Sequence, residues 1–133
     1  MNTVPAVLEK QYQLILWLLP RMAEFPKDQR FLLADRLENT LLDVLERLIE
    51  AVYRKDKVPI LREANLGLEK ARFLMRMAKD KKYISLSRHA FFCKSADEIG
   101  CMIGGWVKFS GNQGPRVQGC GERVIRKGEV QTP

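Results

Sequence analysis

Leu61, Ala64, Leu68, Ala71, Met75 and Ala78 recur at alternating steps of three and four residues. That spacing puts all six on one face of a helix and leaves the remaining faces polar. It recurs in Ala34, Leu37, Leu41, Leu45, Leu48 and Val52, and in Leu86, Ala90, Cys93, Ala96, Ile99 or Gly100, Ile103 and Val107. A further stretch carries Leu8, Tyr12, Ile15, Leu19 and Met22, with Leu14, Leu16, Trp17 and Leu18 extending the apolar surface almost all the way round. Four such stretches demand helices that bury their seams against one another, and no stretch alternates with the period of a strand. A chain of 133 residues is one domain that can bury a single core without staples.

The punctuation between stretches divides the chain into helices over about 5–24, 27–54, 59–80 and 86–109. Pro20 predicts a kink or an early end in the first helix, and Phe25-Pro26 the break proper. Pro26 pre-sets the next helical turn, in which Asp28 meets the positive end of the helix dipole. A short polar link from Lys55 to Val58 precedes Pro59, and Ser85 is placed to cap the fourth helix. Gly67 in mid-helix costs about 1 kcal/mol against Ala, which points to a close helix–helix approach or a locally weak helix. Links this short make neighbours antiparallel, so the expected fold is an all-α, up-down-up-down four-helix bundle over residues 1–109. Residues 110–133 hold five glycines, two prolines and no apolar period, and read as a flexible, disordered basic tail.

Charge is unevenly spread. Between Arg54 and Lys82 ten Lys and Arg face Asp56, Glu63, Glu69 and Asp80, so this segment carries +6 of the chain's +7. Arg62, Glu69, Arg72, Arg76 and Lys79 form a mostly basic stripe one position along from the apolar seam of the third helix. The second helix faces water with a mainly acidic surface of Asp35, Glu38, Asp43, Glu46, Arg47 and Glu50. A pI near 9.5 and a segregated basic surface suggest a polyanionic partner; a solvated face that only keeps the protein soluble is the alternative.

Other chemistries find little support. His89, Cys93 and Asp97 share one helical face, yet a di-iron bundle needs two Glu-x-x-His pairs and this chain has one histidine. No metal site and no cofactor is expected. Glu46 and Glu50 lie on an exposed face, no nucleophile–base pair is evident, and the chain reads as non-enzymatic. Three cysteines, Cys93, Cys101 and Cys120, argue against a disulfide framework and fit a reducing, cytoplasmic setting. The longest apolar run, Leu14–Pro20, is far short of the roughly 20 residues of a membrane span. Helix one is more apolar than a lone bundle can cover, which makes Trp17 and Trp106 candidate anchors of a homo-oligomer interface.

The ordered set LILWLLPRMAEFPKDQRF, DRLENTLLDVLERLIEA, REANLGLEKARFLMRMAKD and DEIGCMIGGW, over about Leu14 to Lys108, resembles the accessory variability determinant (Avd) proteins of diversity-generating retroelements. A sister group, the four-helix proteins of 23S rRNA intervening sequences, matches the DRLEN, REAN and GGW pieces less well; it implies a structural homo-oligomer without a retroelement role. The Avd resemblance implies a homopentameric barrel with a basic surface. It also implies binding to the reverse transcriptase and to template RNA or an RNA/DNA hybrid, in support of mutagenic cDNA synthesis and without catalysis. By motif position it places Arg72 and Arg76 at the nucleic acid, although Ala71 stands where the motif has Leu. With the rest of the basic helix, the candidate nucleic-acid-binding residues are Arg62, Arg72, Arg76, Lys79, Lys81 and Lys82.

Overall fold

The computed structural model describes residues 5–111. Among them every regular element is helical, and they form four helices. Helix α1 spans Ala6–Met22. Helix α2 is a composite of an opening turn, Lys27–Gln29, a π-helical segment, Arg30–Ala34, and a regular helix, Asp35–Tyr53. Helix α3 spans Val58–Asp80 and α4 spans Leu86–Gly111. Each helix packs on the next and α1 closes the ring against α4, as in an up-down-up-down bundle. The last two described residues of the expected tail, Ser110 and Gly111, continue α4; residues 112–133 lie outside the described residues.

The α3 seam is buried residue for residue, from Leu61 through Ala78. Its small members let α2 come close: a Cβ on Gly67 would meet Val44 Cγ2 at 2.7 Å, so the glycine marks a close approach. The expected α1 seam is rotated. Val7, Gln11, Leu14, Ile15, Leu18 and Met22 are buried, whereas Tyr12 and Leu19 are exposed. A helix apolar on nearly every side fits several faces equally well, and here a polar contact selects one: Gln11 Nε2 donates to the Leu41 carbonyl across 2.9 Å. In α2, Val44 and Ala51 are buried where Leu45 and Val52 were expected; those two are half-buried. In α4, Phe92 and Ser95 enter the core while Leu86 and Ala90 are exposed. Phe92 contributes far more apolar area than Cys93 beside it, roughly 2–3 kcal/mol when fully buried, and sets the rotation.

The start of α2 is not the regular helix its spacing predicts. Asp35 N–H donates to the Arg30 carbonyl five residues back. This wider turn takes up an extra residue, so Phe25, Ala34 and Leu37 all reach the core while Phe31 and Leu32 stay in water. The apolar run Phe31–Leu32–Leu33–Ala34 has no face of its own, so its spacing alone does not reveal the insertion. Helix α1 continues two residues past Pro20 before ending.

Side chains close the remaining seams. Lys57 Nζ donates to the carbonyls of Ala51, Val52 and Arg54 at 2.7, 3.2 and 2.6 Å, placing a cation on the negative end of α2. Ser85 caps α4 by accepting the Arg88 N–H at 3.1 Å. Ion pairs bridge α2 to α3 (Arg47–Glu63, 3.2 Å), α1 to α4 (Lys10–Glu98) and the α1–α2 link to α4 (Glu24–Arg88).

Candidate functional site

The basic residues of α3 fall into groups with different surroundings. Arg72 lies on the flank of the helix that meets α4, with its side chain 25% exposed. Its Nη1 donates to the Asp97 carboxylate of α4, and its Nε lies 2.9 Å from Glu69 Oε2, close enough for an ion pair but poorly aligned for a hydrogen bond. Arg72 is therefore already paired with two carboxylates inside the bundle. Arg76, 63% exposed, has only a loose 4.0 Å approach to Asp80. Lys79 is more enclosed and shares Asp80 at 3.6 Å. Arg62, Lys81 and Lys82 are exposed and form no ion pair among the described residues.

The turn after α3 shows how local sequence presents the last of these. Tyr83 N–H donates to the Ala78 carbonyl at 2.8 Å and Lys82 N–H to the Lys79 carbonyl at 2.9 Å. This pair of bonds is the Schellman closure of a helix, and it requires a left-handed residue, normally glycine. Lys82 fills that position with φ 65°. A side chain there costs about 1 kcal/mol or more relative to glycine. The sequence thus keeps a cation at a position where the backbone favours none.

Tyr83 then reaches across the end of the bundle and packs on Phe25, ring centroids 5.4 Å apart. That contact joins the α3–α4 turn to the α1–α2 link, and it brings a second set of cations to the same end. Lys27 and Arg30 are exposed there, with Arg21 and Arg88 half-buried beside them. Arg21 lies 5.0 Å over the Trp17 ring and Arg88 pairs with Glu24. With Lys79, Lys81 and Lys82, seven cations fall on the segments that meet at this end, alongside Glu24, Asp28, Asp35 and Asp80. The sequence reading missed Lys27 and Arg30, because about 50 residues separate them from Lys81 and only the antiparallel return of α3 unites them.

The groove between α3 and α4 holds His89 and Cys93, Sγ to Nε2 3.5 Å. Burial pushes the Cys93 thiol up, with Arg72 and Lys79 opposing and Asp97 adding to the shift. Burial likewise pulls His89 down, helped by Lys79 and opposed by Asp80. Both groups are thus held neutral near pH 7. Asp97, the third member of the metal-ligand alignment in the sequence, is engaged by Arg72, and among the described residues no cluster of three or more His, Cys, Asp or Glu is placed to hold a metal. Cys93 is a free thiol.

Trp17 and Trp106, expected as interface anchors, are both half-buried against the protomer's own core. The Trp17 ring packs 4.7 Å from that of Phe91. Large apolar side chains are exposed on all four helices, Phe91 and Phe109 of α4 among them. No described helix is long and apolar enough to cross a membrane.

No curated protein and no solved structure matches this chain significantly. The model of the bAvd-like family, by contrast, matches residues 6–110, a span that takes in all four helices, and the chain belongs to that family.

Proposed function

We propose that this protein is a non-catalytic accessory factor of a diversity-generating retroelement. It binds template RNA and the growing cDNA, holds them against the reverse transcriptase, and acts as a homopentamer. Membership of the bAvd-like family supports the accessory role. The observation that carries nucleic-acid binding is the exposed cation cluster at one end of the bundle, where Lys82 occupies a left-handed turn position at a cost in stability.

Mechanistically the protein is a scaffold. Lys79, Lys81 and Lys82, with Lys27 and Arg30, neutralise backbone phosphates, and Arg62 and Arg76 extend the field along α3. Arg72 contributes through the helix pair it holds together. Contacts of this kind favour binding by releasing counterions and carry little sequence information. Repetition around an oligomer multiplies a weak contact into a firm one.

The test is co-expression with a retroelement reverse transcriptase and its template RNA. Recovery of all three together, abolished by Lys81→Ala with Lys82→Ala, is the expected result. Recovery of the polymerase and RNA without this protein would contradict the assignment.

A further inference from the structure

The π-helical turn at the start of α2 leaves Phe31 75% exposed, and beside it an open cavity of about 360 Å³ lies between α1 and α2. Interruptions of this kind occur frequently at functional sites. Phe31, Ala34 and Glu38 recur at steps of three and four, so one side of α2 presents an aromatic ring, a buried alanine and a carboxylate. Leu19 and Met22 of α1 supply the facing apolar wall. The volume is at the small end of the ~300–1,000 Å³ range of ligand pockets, room for a flat ring system and not for a helix.

Arg30, Asp35 and Glu38 are the charged groups of the lining, and none of them forms an ion pair among the described residues. Arg30 Nε donates to the Phe25 carbonyl at 3.3 Å, which anchors the guanidinium and leaves its terminal NH2 groups without a carboxylate. Burial, with Asp35 beside it, raises the Glu38 carboxyl above its ordinary value, so N–H donors brought to it would favour its charged form. Phe25, whose carbonyl holds Arg30, packs its ring on Tyr83, the residue after Lys82. One residue thus joins the cavity to the lysine turn. A surface that bound phosphates alone would have no use for the two carboxylates.

A base pocket does use them. Carboxylate oxygens accept hydrogen bonds, and guanine is the base whose pairing edge carries two adjacent donors, N1–H and N2–H2. Adenine and cytosine set one amino group beside an acceptor nitrogen, which a carboxylate oxygen repels. We propose that the cavity takes one unpaired guanine of the bound strand, stacked on Phe31, with Asp35 or Glu38 accepting from N1–H and N2–H2 and Arg30 on an adjoining phosphate. In a duplex that edge is already paired and the ring already stacked, so the pocket selects single strands. This inference rests on the nucleic-acid reading above and adds to it a preference for one base, which phosphate contacts do not supply.

The test titrates nuclease-treated full-length protein with short uridine RNAs that carry at their centre a guanosine, an inosine (which lacks the N2 amino group) or an adenosine. Each is also offered as a duplex with its complement. The guanosine strand should bind about tenfold more tightly than the adenosine strand, with inosine between them and no ranking among the duplexes. Asp35→Ala with Glu38→Ala should abolish the ranking yet raise affinity for all three strands, because it removes two negative charges beside the phosphates. Phe31→Ala should weaken the guanosine strand about fivefold or more and leave the salt slope unchanged, since stacking releases no counterions. The ranking of bases on the parent protein needs no variant to fold. Equal affinity for the three single strands, or a ranking that survives loss of both carboxylates, overturns the pocket. If Lys81→Ala with Lys82→Ala still weakens binding in that case, the nucleic-acid reading stands without it; RNA that does not bind at all overturns both.

Discussion

Arg72 of α3 donates to the carboxylate of Asp97 on α4, tying together two residues 25 positions apart in the chain. The arginine is mostly covered and the aspartate mostly exposed, so the pair sits at the rim of the helix–helix seam. Rim pairs of this kind contribute about 0.2–1 kcal/mol. Asp97→Asn should therefore lower the urea midpoint only slightly. It should also raise RNA affinity, because it removes a negative charge and frees the guanidinium. Arg72→Ala should cost more stability than Asp97→Asn, since it strips packing from the seam as well as charge. Parallel urea and RNA titrations of the two variants check both statements.

Lys82→Gly separates stability from function. Relief of the left-handed backbone at φ 65° should stabilise the protein by about 1 kcal/mol. Loss of the cation should at the same time weaken RNA binding. A glycine variant that is both more stable and unchanged in RNA affinity would remove Lys82 from the site.

Gly67→Ala pits helix propensity against packing. Alanine gains about 1 kcal/mol in an isolated helix, but its Cβ would lie 2.7 Å from Val44 Cγ2. Overpacking of that kind typically costs about 1–3 kcal/mol, so the variant should be destabilised. Combined with Val44→Ala, the Gly67→Ala change should become favourable, and a double-mutant cycle on the unfolding free energies measures the coupling.

How much of this was legible in the sequence depends on how many faces each helix left open to choice. Helix α3 has a narrow seam of small and large apolar residues, and every member is buried as its spacing predicts. Helix α1 is apolar on nearly all sides, so its burial is decided by what it packs against, and the buried Gln11 gives no apolar signal. The π-helical insertion at Arg30–Ala34 hides in a run of four apolar residues for the same reason. In the candidate site, the charge of α3 was visible from residue counts. Which cations are free was not, because the partner of Arg72 and the company of Lys27 and Arg30 depend on tertiary contacts. Lys57 on the α2 carbonyls is a third contact of that kind.

His89 predicts a pH dependence. Its pKa in the folded protein lies below the ordinary 6.5, first through burial and then through Lys79. Below pH 6.5 the unfolded chain therefore binds more protons than the folded one, and stability falls on acidification from that point until the lowered folded pKa is passed. His89→Gln should remove this part of the slope. Urea midpoints at pH 7.5 and 5.5 should differ more for the parent protein than for the variant. Glu98, held low chiefly by its hydrogen bond with Lys10, adds an acid-side loss that begins only below about pH 4.5 and leaves this window clear.

The most direct test of the central claim is a titration of single-stranded RNA with nuclease-treated protein over a series of salt concentrations. Each neutralised phosphate contributes a slope of about −0.7 on logarithmic axes. A pentamer engaging roughly five phosphates should thus lose on the order of 100-fold in affinity over a fourfold rise in salt. Lys81→Ala with Lys82→Ala should weaken binding and flatten that slope while the oligomer keeps its mass. Binding that is absent near physiological salt, or a slope that the two lysines do not change, would contradict the account.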